Sequence, residues 1–188
     1  MGARLRQIIS RRAFLAGGAW AILLGFSRTL RAQVSRLFRY RPLAQPVVIP
    51  FDALSVPWRV RPFTAEAVTL PSAAMPNQAI RISGMIVRTA PGDRPEQFSA
   101  VCVRCPHELC DVDFVDDPKR LPQEVIGEIG RAVTEPVYLC PCHNSSFKVD
   151  GERLSGPAPR GLYRFRVTAV SAASVEIAEV EEDLLIFV

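Results

Sequence analysis

CPHELC (residues 105–110) and CPCHNSSF (residues 140–147) decide the fold of this 188-residue chain. Together they contain both histidines and four of the five cysteines. The spacings are C-x-H-x-x-C and C-x-C-H, and Cys and His concentrated in this way are typical of a metal site. Two loops that each offer one thiolate and one imidazole can meet and hold a binuclear iron centre. One iron then takes the two sulfurs and the other takes the two nitrogens.

A tetrahedral zinc site is the alternative interpretation. Its ligands would be drawn from a C-x-x-C pair and from the second motif: Cys102, Cys105, Cys140, Cys142 and His143. This interpretation leaves His107 and Cys110 without a role, so the iron centre is preferred. Cys102 is then a small buried residue on the strand that precedes the first motif.

Charge divides the chain into two parts. Residues 1–41 carry nine Arg and no Asp or Glu, whereas residues 42–188 hold 14 basic and 19 acidic side chains. A nucleic-acid-binding protein usually carries its basic patch on the folded domain. Here the basic residues flank an apolar run instead, which favours export or membrane attachment over a nucleic-acid partner.

The leader, residues 1–31, fits the twin-arginine export pattern through Arg11-Arg12 followed by Phe14 and Leu15. The uncharged run 13–26 would span only ~21 Å as a helix at ~1.5 Å per residue, against ~30 Å for a bilayer core. Its length favours a cleaved signal, but small-x-small cleavage sites are poor. We expect a retained transmembrane anchor that extends toward Leu30.

The body is expected to be mostly β. Residues 32–46, which contain Pro42 and Pro46, are predicted to form a linker or hinge, and residues 47–188 the folded domain. Strands are predicted at 58–63, 79–87, 98–103, 137–140, 163–167, 175–177 and 184–188. An acidic insertion at 111–135 separates the two motifs and is predicted to contain one short helix at 123–130.

The two motifs together resemble those of Rieske [2Fe–2S] proteins of the cytochrome bc type, whose pattern is C-x-H-x-x-C followed by C-P-C-H-x-S. The resemblance covers roughly residues 98–170. It implies the Rieske fold of stacked antiparallel sheets, with a small cluster-binding subdomain at about 104–160, beside an N-terminal membrane helix.

The resemblance also implies the ligands of a single [2Fe–2S] cluster. Cys105 and Cys140 would hold the inner iron, and His107 and His143 the solvent-facing iron. The two imidazoles would also be the groups that meet a quinol and act in its oxidation.

Further roles follow from the same resemblance. Cys110 and Cys142 would form a disulfide, residues 156–159 would form the proline loop that covers the cluster, and the Ser145 hydroxyl would bond a bridging sulfide. Many relatives have a Tyr that donates a hydrogen bond to a ligand sulfur where this chain has Phe147. Such hydrogen bonds raise the potential, so we expect a lower potential here, which suits menaquinol.

The function implied is an oxidoreductase subunit that carries electrons in a membrane quinol:cytochrome c oxidoreductase. Its partners would be cytochrome b-type and cytochrome c-type subunits, with the domain anchored on the periplasmic side. The small Rieske subunit of a periplasmic molybdenum enzyme such as arsenite oxidase is the alternative. A soluble Rieske ferredoxin is disfavoured by the extra pair Cys110 and Cys142 and by Arg11-Arg12.

Overall fold

The computed structural model describes residues 38–71 and 77–187. Ten strands lie in these residues: β1 (Tyr40–Pro50), β2 (Val60–Val68), β3 (Ala79–Arg88), β4 (Phe98–Cys102), β5 (Asp113–Val115), β6 (Val137–Leu139), β7 (Ser146–Lys148), β8 (Arg153–Ser155), β9 (Arg164–Val170) and β10 (Ser174–Glu181). Two short α-helices accompany them: α1 (Gln123–Ile129) and α2 (Leu184–Phe187). Single 3-10 turns occur at Phe51–Leu54, Pro95–Gln97 and Pro118–Arg120.

Six strands form one antiparallel sheet in the order β1-β10-β9-β4-β3-β2. Alternation sets its inner face: in β2, Phe63, Ala65 and Ala67 are buried while their neighbours point outward. The two edge strands, β1 and β2, also contact each other, so the sheet curls toward a barrel around its apolar core. This sheet is the base on which the second sheet is built.

Four short strands form the second antiparallel sheet, in the order β5-β6-β7-β8. Its core is separate from that of the base and includes Cys105, Tyr138, Cys140 and Phe147. The chain enters this subdomain directly from the end of β4 and returns to the base at β9. Both motifs singled out in the sequence therefore belong to the smaller core.

The expected mostly β fold of antiparallel sheets is confirmed. The predicted strands 79–87 and 98–103 correspond to β3 and β4, and the predicted helix 123–130 corresponds to α1. This helix ends at Gly130, which has a left-handed backbone (φ 70°) as glycine at a helix C-terminus usually does.

The structure corrects the predicted linker, because its second half is part of a strand. Tyr40, Arg41 and Pro42 pair with the last residues of β10, opposite Glu181, Val180 and Glu179. Prolines are tolerated here because β1 is an edge strand whose outer N–H groups need no partner in the sheet. The prediction of a linker or hinge at 32–46 is therefore wrong from residue 40 onward.

The predicted C-terminal strand at 184–188 is also wrong, since Leu184–Phe187 form α2. The consecutive residues Leu184 and Leu185 are both buried, whereas successive side chains of a strand point to opposite faces. The apolar run at 184–188 has five residues, which is too short for its period to separate helix from strand.

Candidate metal centre

The first loop, residues 105–110, is a closed turn that follows β4. The Leu109 N–H donates to the Cys105 carbonyl at 3.0 Å, and the Cys105 N–H donates to the Cys110 carbonyl at 2.9 Å. The turn requires a left-handed backbone at Leu109 (φ 59°), which is costly for a residue with a Cβ. As a result Cys105 points into the core and His107 toward the surface.

The second loop, residues 140–145, repeats this geometry between β6 and β7. The Asn144 N–H donates to the Cys140 carbonyl at 3.0 Å, and the Cys140 N–H donates to the Ser145 carbonyl at 2.8 Å. The left-handed residue is Asn144 (φ 58°), and Asn accepts this conformation more readily than most residues do. The two motifs thus fold into matching loops.

A disulfide joins the two loops. Cys110 and Cys142 are bonded across 32 residues of sequence, as the resemblance predicted. A closed loop of this length restricts the unfolded chain and is typically worth ~2–4 kcal/mol. The bridge also removes Cys142 from the zinc alternative, because a disulfide sulfur is not a thiolate ligand.

Each loop also has a buried cysteine with a free thiol, Cys105 in the first and Cys140 in the second. They are within hydrogen-bonding contact of each other, and burial together with the neighbouring Cys140 raises the pKa of Cys105. Two adjacent buried thiols ionise together only if a positive charge compensates for them. A bound metal ion supplies that charge.

The two loops also bring their imidazoles together. The rings of His107 and His143 are nearly perpendicular, with centroids 4.8 Å apart. His107 Nδ1 is buried and has no hydrogen-bond partner among the described residues. The Glu108 carboxylate lies 3.7 Å from His143 Nδ1, and the His143 side chain is 45% exposed.

These residues fit an iron–sulfur cluster by their chemistry. The buried ring nitrogen of His107 has no partner among the described residues, which is costly unless it binds something, and the His143 ring lies 4.8 Å from the His107 ring. Two sulfur and two nitrogen donors are the set that a Rieske [2Fe–2S] centre uses.

The comparison with known proteins agrees with this donor set. A family model for the Rieske [2Fe-2S] domain matches residues 68–169, which is more than half of the chain.

The chain belongs to the Rieske [2Fe–2S] family. A Rieske domain binds one [2Fe–2S] cluster, so the cofactor predicted from the two motifs is confirmed. No curated protein matches the chain. A similar solved structure is that of the cyanobacterial plasma membrane Rieske protein PetC3 from Synechocystis PCC 6803. Its sequence identity is 18%, over 60% of this chain and 84% of that chain, and its TM-score is 0.35.

The proline loop of this Rieske domain packs directly on the second cluster loop. The Ala158 N–H donates to Ser145 Oγ at 3.0 Å, in a fully buried position. Gly156 has φ 87°, and a Cβ there would overlap the Cα of Ser145. The Ser145 hydroxyl accepts in this contact and keeps its own proton to donate, so its predicted bond to a bridging sulfide stays a prediction.

Two aromatic residues complete the core beneath the cluster loops. Phe147 and Tyr138 lie opposite each other in the pairing of β6 with β7, and both are fully buried. The Tyr138 hydroxyl has no partner among the residues described, and burial raises its pKa well above the ordinary value. In the sequence, Tyr138 is distinguished only by its place two residues before Cys140, on the same face of the strand.

The acidic insertion contacts the second loop and the proline loop, and the sequence did not predict these contacts. Glu124 Oε1 accepts from Asn144 Nδ2 at 2.8 Å, and Glu128 Oε1 accepts from the Gly156 N–H at 3.0 Å. Both glutamates lie on α1. Their partners are 20 and 28 residues away in sequence, so no local pattern could have predicted them.

The twin-arginine leader and the expected anchor at 1–31 lie outside the described residues. Among residues 38–71 and 77–187, no helix is long and apolar enough to cross a membrane.

Proposed function

We propose that this Rieske protein is the electron-transfer subunit of a membrane quinol:cytochrome c oxidoreductase. The observation that carries the proposal is the donor set: Cys105 and Cys140 are buried free thiols, the rings of His107 and His143 lie 4.8 Å apart with His143 exposed, and a disulfide joins the two loops. In this arrangement the histidines would be the part of the centre that a partner reaches first.

Four residues would hold the cluster. Cys105 and Cys140 would bind the inner iron, and His107 and His143 the outer iron, since the thiols are buried and the imidazoles reach the surface. When bound, the cluster accepts and releases one electron at a time, at a potential that histidine ligation raises above that of all-cysteine clusters.

The histidine edge would receive the quinol. An exposed imidazole nitrogen can accept a hydrogen bond from a quinol hydroxyl and then hold its proton. Leu109 lies two residues after His107 and is 41% exposed, which gives the docking surface an apolar contact beside the polar one. A cytochrome b-type subunit would supply the quinol pocket, with menaquinol as the expected quinol, and a c-type cytochrome would take the electron.

The proposed location is the periplasmic side of the membrane. The disulfide supports this location because such bonds persist in oxidising compartments. The twin-arginine leader supports export, and the leader would then serve as the anchor.

A redox titration of the full-length chain in detergent, followed by electron paramagnetic resonance, tests the proposal. We expect a rhombic signal from the reduced state and a positive midpoint potential that falls above roughly pH 7–8. A Rieske signal with a low midpoint that stays flat over this range would contradict the quinol role. Co-purification with a molybdopterin subunit instead of cytochrome b would favour the arsenite oxidase type.

A further inference from the structure

Helix α1 presents two carboxylates, one helical turn apart, to the loops that surround the metal centre. Glu124 and Glu128 have i, i+4 spacing and therefore lie on the same face of the helix. Apolar contacts also hold the helix, because Val125 and the preceding Leu121 are buried. The helix is thus fixed to the subdomain while its glutamates reach out to the loops.

The two partners of these glutamates lie at the walls of the site. Asn144 directly follows His143 and is the left-handed residue that closes the second cluster loop. Gly156 begins the proline loop and packs against Ser145. One rigid helix therefore holds both the second loop and the loop that covers it.

The contact at Gly156 satisfies a buried backbone group. Gly156 is buried, and its N–H donates to Glu128. Without that carboxylate the amide would lie in the protein interior with no partner, which is costly. Arg153 donates to the carbonyl of the same glycine, so a cation and the Glu128 carboxylate both contact this one residue. Glu124 has no such cation among its described contacts.

We propose that Glu124 and Glu128 are positioning residues of the metal centre and that Glu124 also lowers its midpoint potential. The proposal rests on the ligand assignment proposed above. A negative charge beside a centre that gains an electron disfavours the reduced state. The exposed position of Glu124 limits the effect through screening by solvent and salt.

Paired substitutions at Glu124 separate its charge from its hydrogen bond. Glu124→Gln keeps an oxygen that accepts from Asn144 but removes the charge, whereas Glu124→Ala removes both. We expect both variants to raise the ratio of reduced to oxidised cluster at a fixed potential by roughly threefold, or ~28 mV at ~59 mV per tenfold change. Only Glu124→Ala should also lose iron faster on incubation with a chelator.

The matched control is Glu135→Gln. Glu135 is an exposed glutamate of the same insertion, located before β6 at the end of that strand away from the cluster loop. This variant should leave both the midpoint and the rate of iron loss unchanged. A shift in the control equal to that of Glu124→Gln, or no shift in either variant of Glu124, would refute the effect on potential.

Hydrogen exchange tests the contact at Glu128 whether or not the cluster is assigned correctly. Exchange of the segment 154–158, followed by mass spectrometry, should speed up at least tenfold in Glu128→Ala and stay slow in Glu128→Gln, which retains the acceptor. Unchanged exchange in Glu128→Ala would refute the positioning role. A wild-type chain without a Rieske signal would overturn the proposed function and the effect on potential, while the exchange result would still decide the role of Glu128.

Discussion

The side chain at position 147 is the residue-scale feature expected to set the potential of this Rieske centre. Phe147 is fully buried in the core that also holds Cys105 and Cys140. We expect Phe147→Tyr to raise the midpoint potential by ~40 mV, because one added hydrogen bond to a ligand sulfur is worth ~1 kcal/mol. An electron paramagnetic resonance titration at fixed pH measures the change.

Phe114→Tyr is the matched control for this prediction. Phe114 is only partly buried and packs against the edge of the same core, in ring contact with Tyr138. A hydroxyl added there should leave the midpoint unchanged. If Phe147→Tyr also leaves it unchanged, the missing hydroxyl does not explain a low potential.

A second prediction at this scale concerns the free thiol outside the proposed ligand set. Burial raises the pKa of Cys102 from its ordinary 9.0 to about 11. As the pH rises, the thiol therefore ionises in the unfolded chain before it ionises in the folded one. The stability that the buried neutral thiol provides is complete below about pH 9 and is lost as the pH rises through about 11. Between pH 8 and ~10.5, the free energy of unfolding of the wild type should therefore fall by about 2 kcal/mol more than that of Cys102→Ala.

Urea unfolding at the two pH values measures that difference. The midpoint potential should be the same in Cys102→Ala and in the wild type, because Cys102 is not one of the proposed ligands. Parallel losses of stability in the two proteins would show that this thiol does not ionise on unfolding.

At the residue scale, the sequence predicted the donors of the site but not the residues that surround them. Cys105, His107, Cys140 and His143 lie in two dense motifs, so their chemistry and spacing are visible in the chain. The contacts of α1 depend on long-range packing, which leaves no periodic signal. The same is true of the unpartnered hydroxyl of Tyr138.

At the scale of elements, the proline loop tolerates no side chain at its first residue. In Gly156→Ala the new Cβ would meet Ser145 and the positive φ would be strained. We expect a loss of roughly 3 kcal/mol or more from overpacking and backbone strain combined, together with a lower iron content. Thermal unfolding and iron analysis of the purified protein measure the two effects.

Gly127→Ala is the control for this substitution. Gly127 lies within α1, and nothing lies within 4 Å of an added Cβ. Ala is favoured over Gly inside a helix by ~0.5–1 kcal/mol, so this variant should be more stable and retain its iron. Equal behaviour of the two glycine variants would contradict the role assigned to the proline loop.

Elements with a clear period were predictable, whereas elements decided by packing were not. β3 and α1 follow regular patterns with recognisable ends. The beginning of β1 reads as a linker in the sequence because its prolines are allowed only by its edge position, which depends on the whole sheet. α2 has four residues, about one helical turn, and so short an apolar run does not separate a helix from a strand.

At the scale of the whole described domain, a partly buried ion pair connects the proline loop to the base sheet. Arg160 follows that loop and pairs with Glu181 at the end of β10. Glu181 is 1% exposed and also accepts from the Arg164 N–H at 3.1 Å. The Arg160 guanidinium lies over the Tyr163 ring, 4.1 Å from its centroid. The pair therefore holds the end of the proline loop to the larger core.

Removing one member of this pair should destabilise the domain far more than removing an exposed pair does. Arg160→Ala leaves the Glu181 carboxylate buried without its cation, which should cost ~3–5 kcal/mol. Arg166→Ala breaks a more exposed pair with Glu179 on the neighbouring strand and should cost less than ~1 kcal/mol. Urea unfolding measures both.

Adding Glu181→Gln to Arg160→Ala should recover part of the loss, because a neutral amide is less costly to bury than an unpaired charge. A double variant no more stable than the single one would mean that the loss comes from the packing of Arg160 on Tyr163, and the link between loop and sheet would then be apolar rather than ionic.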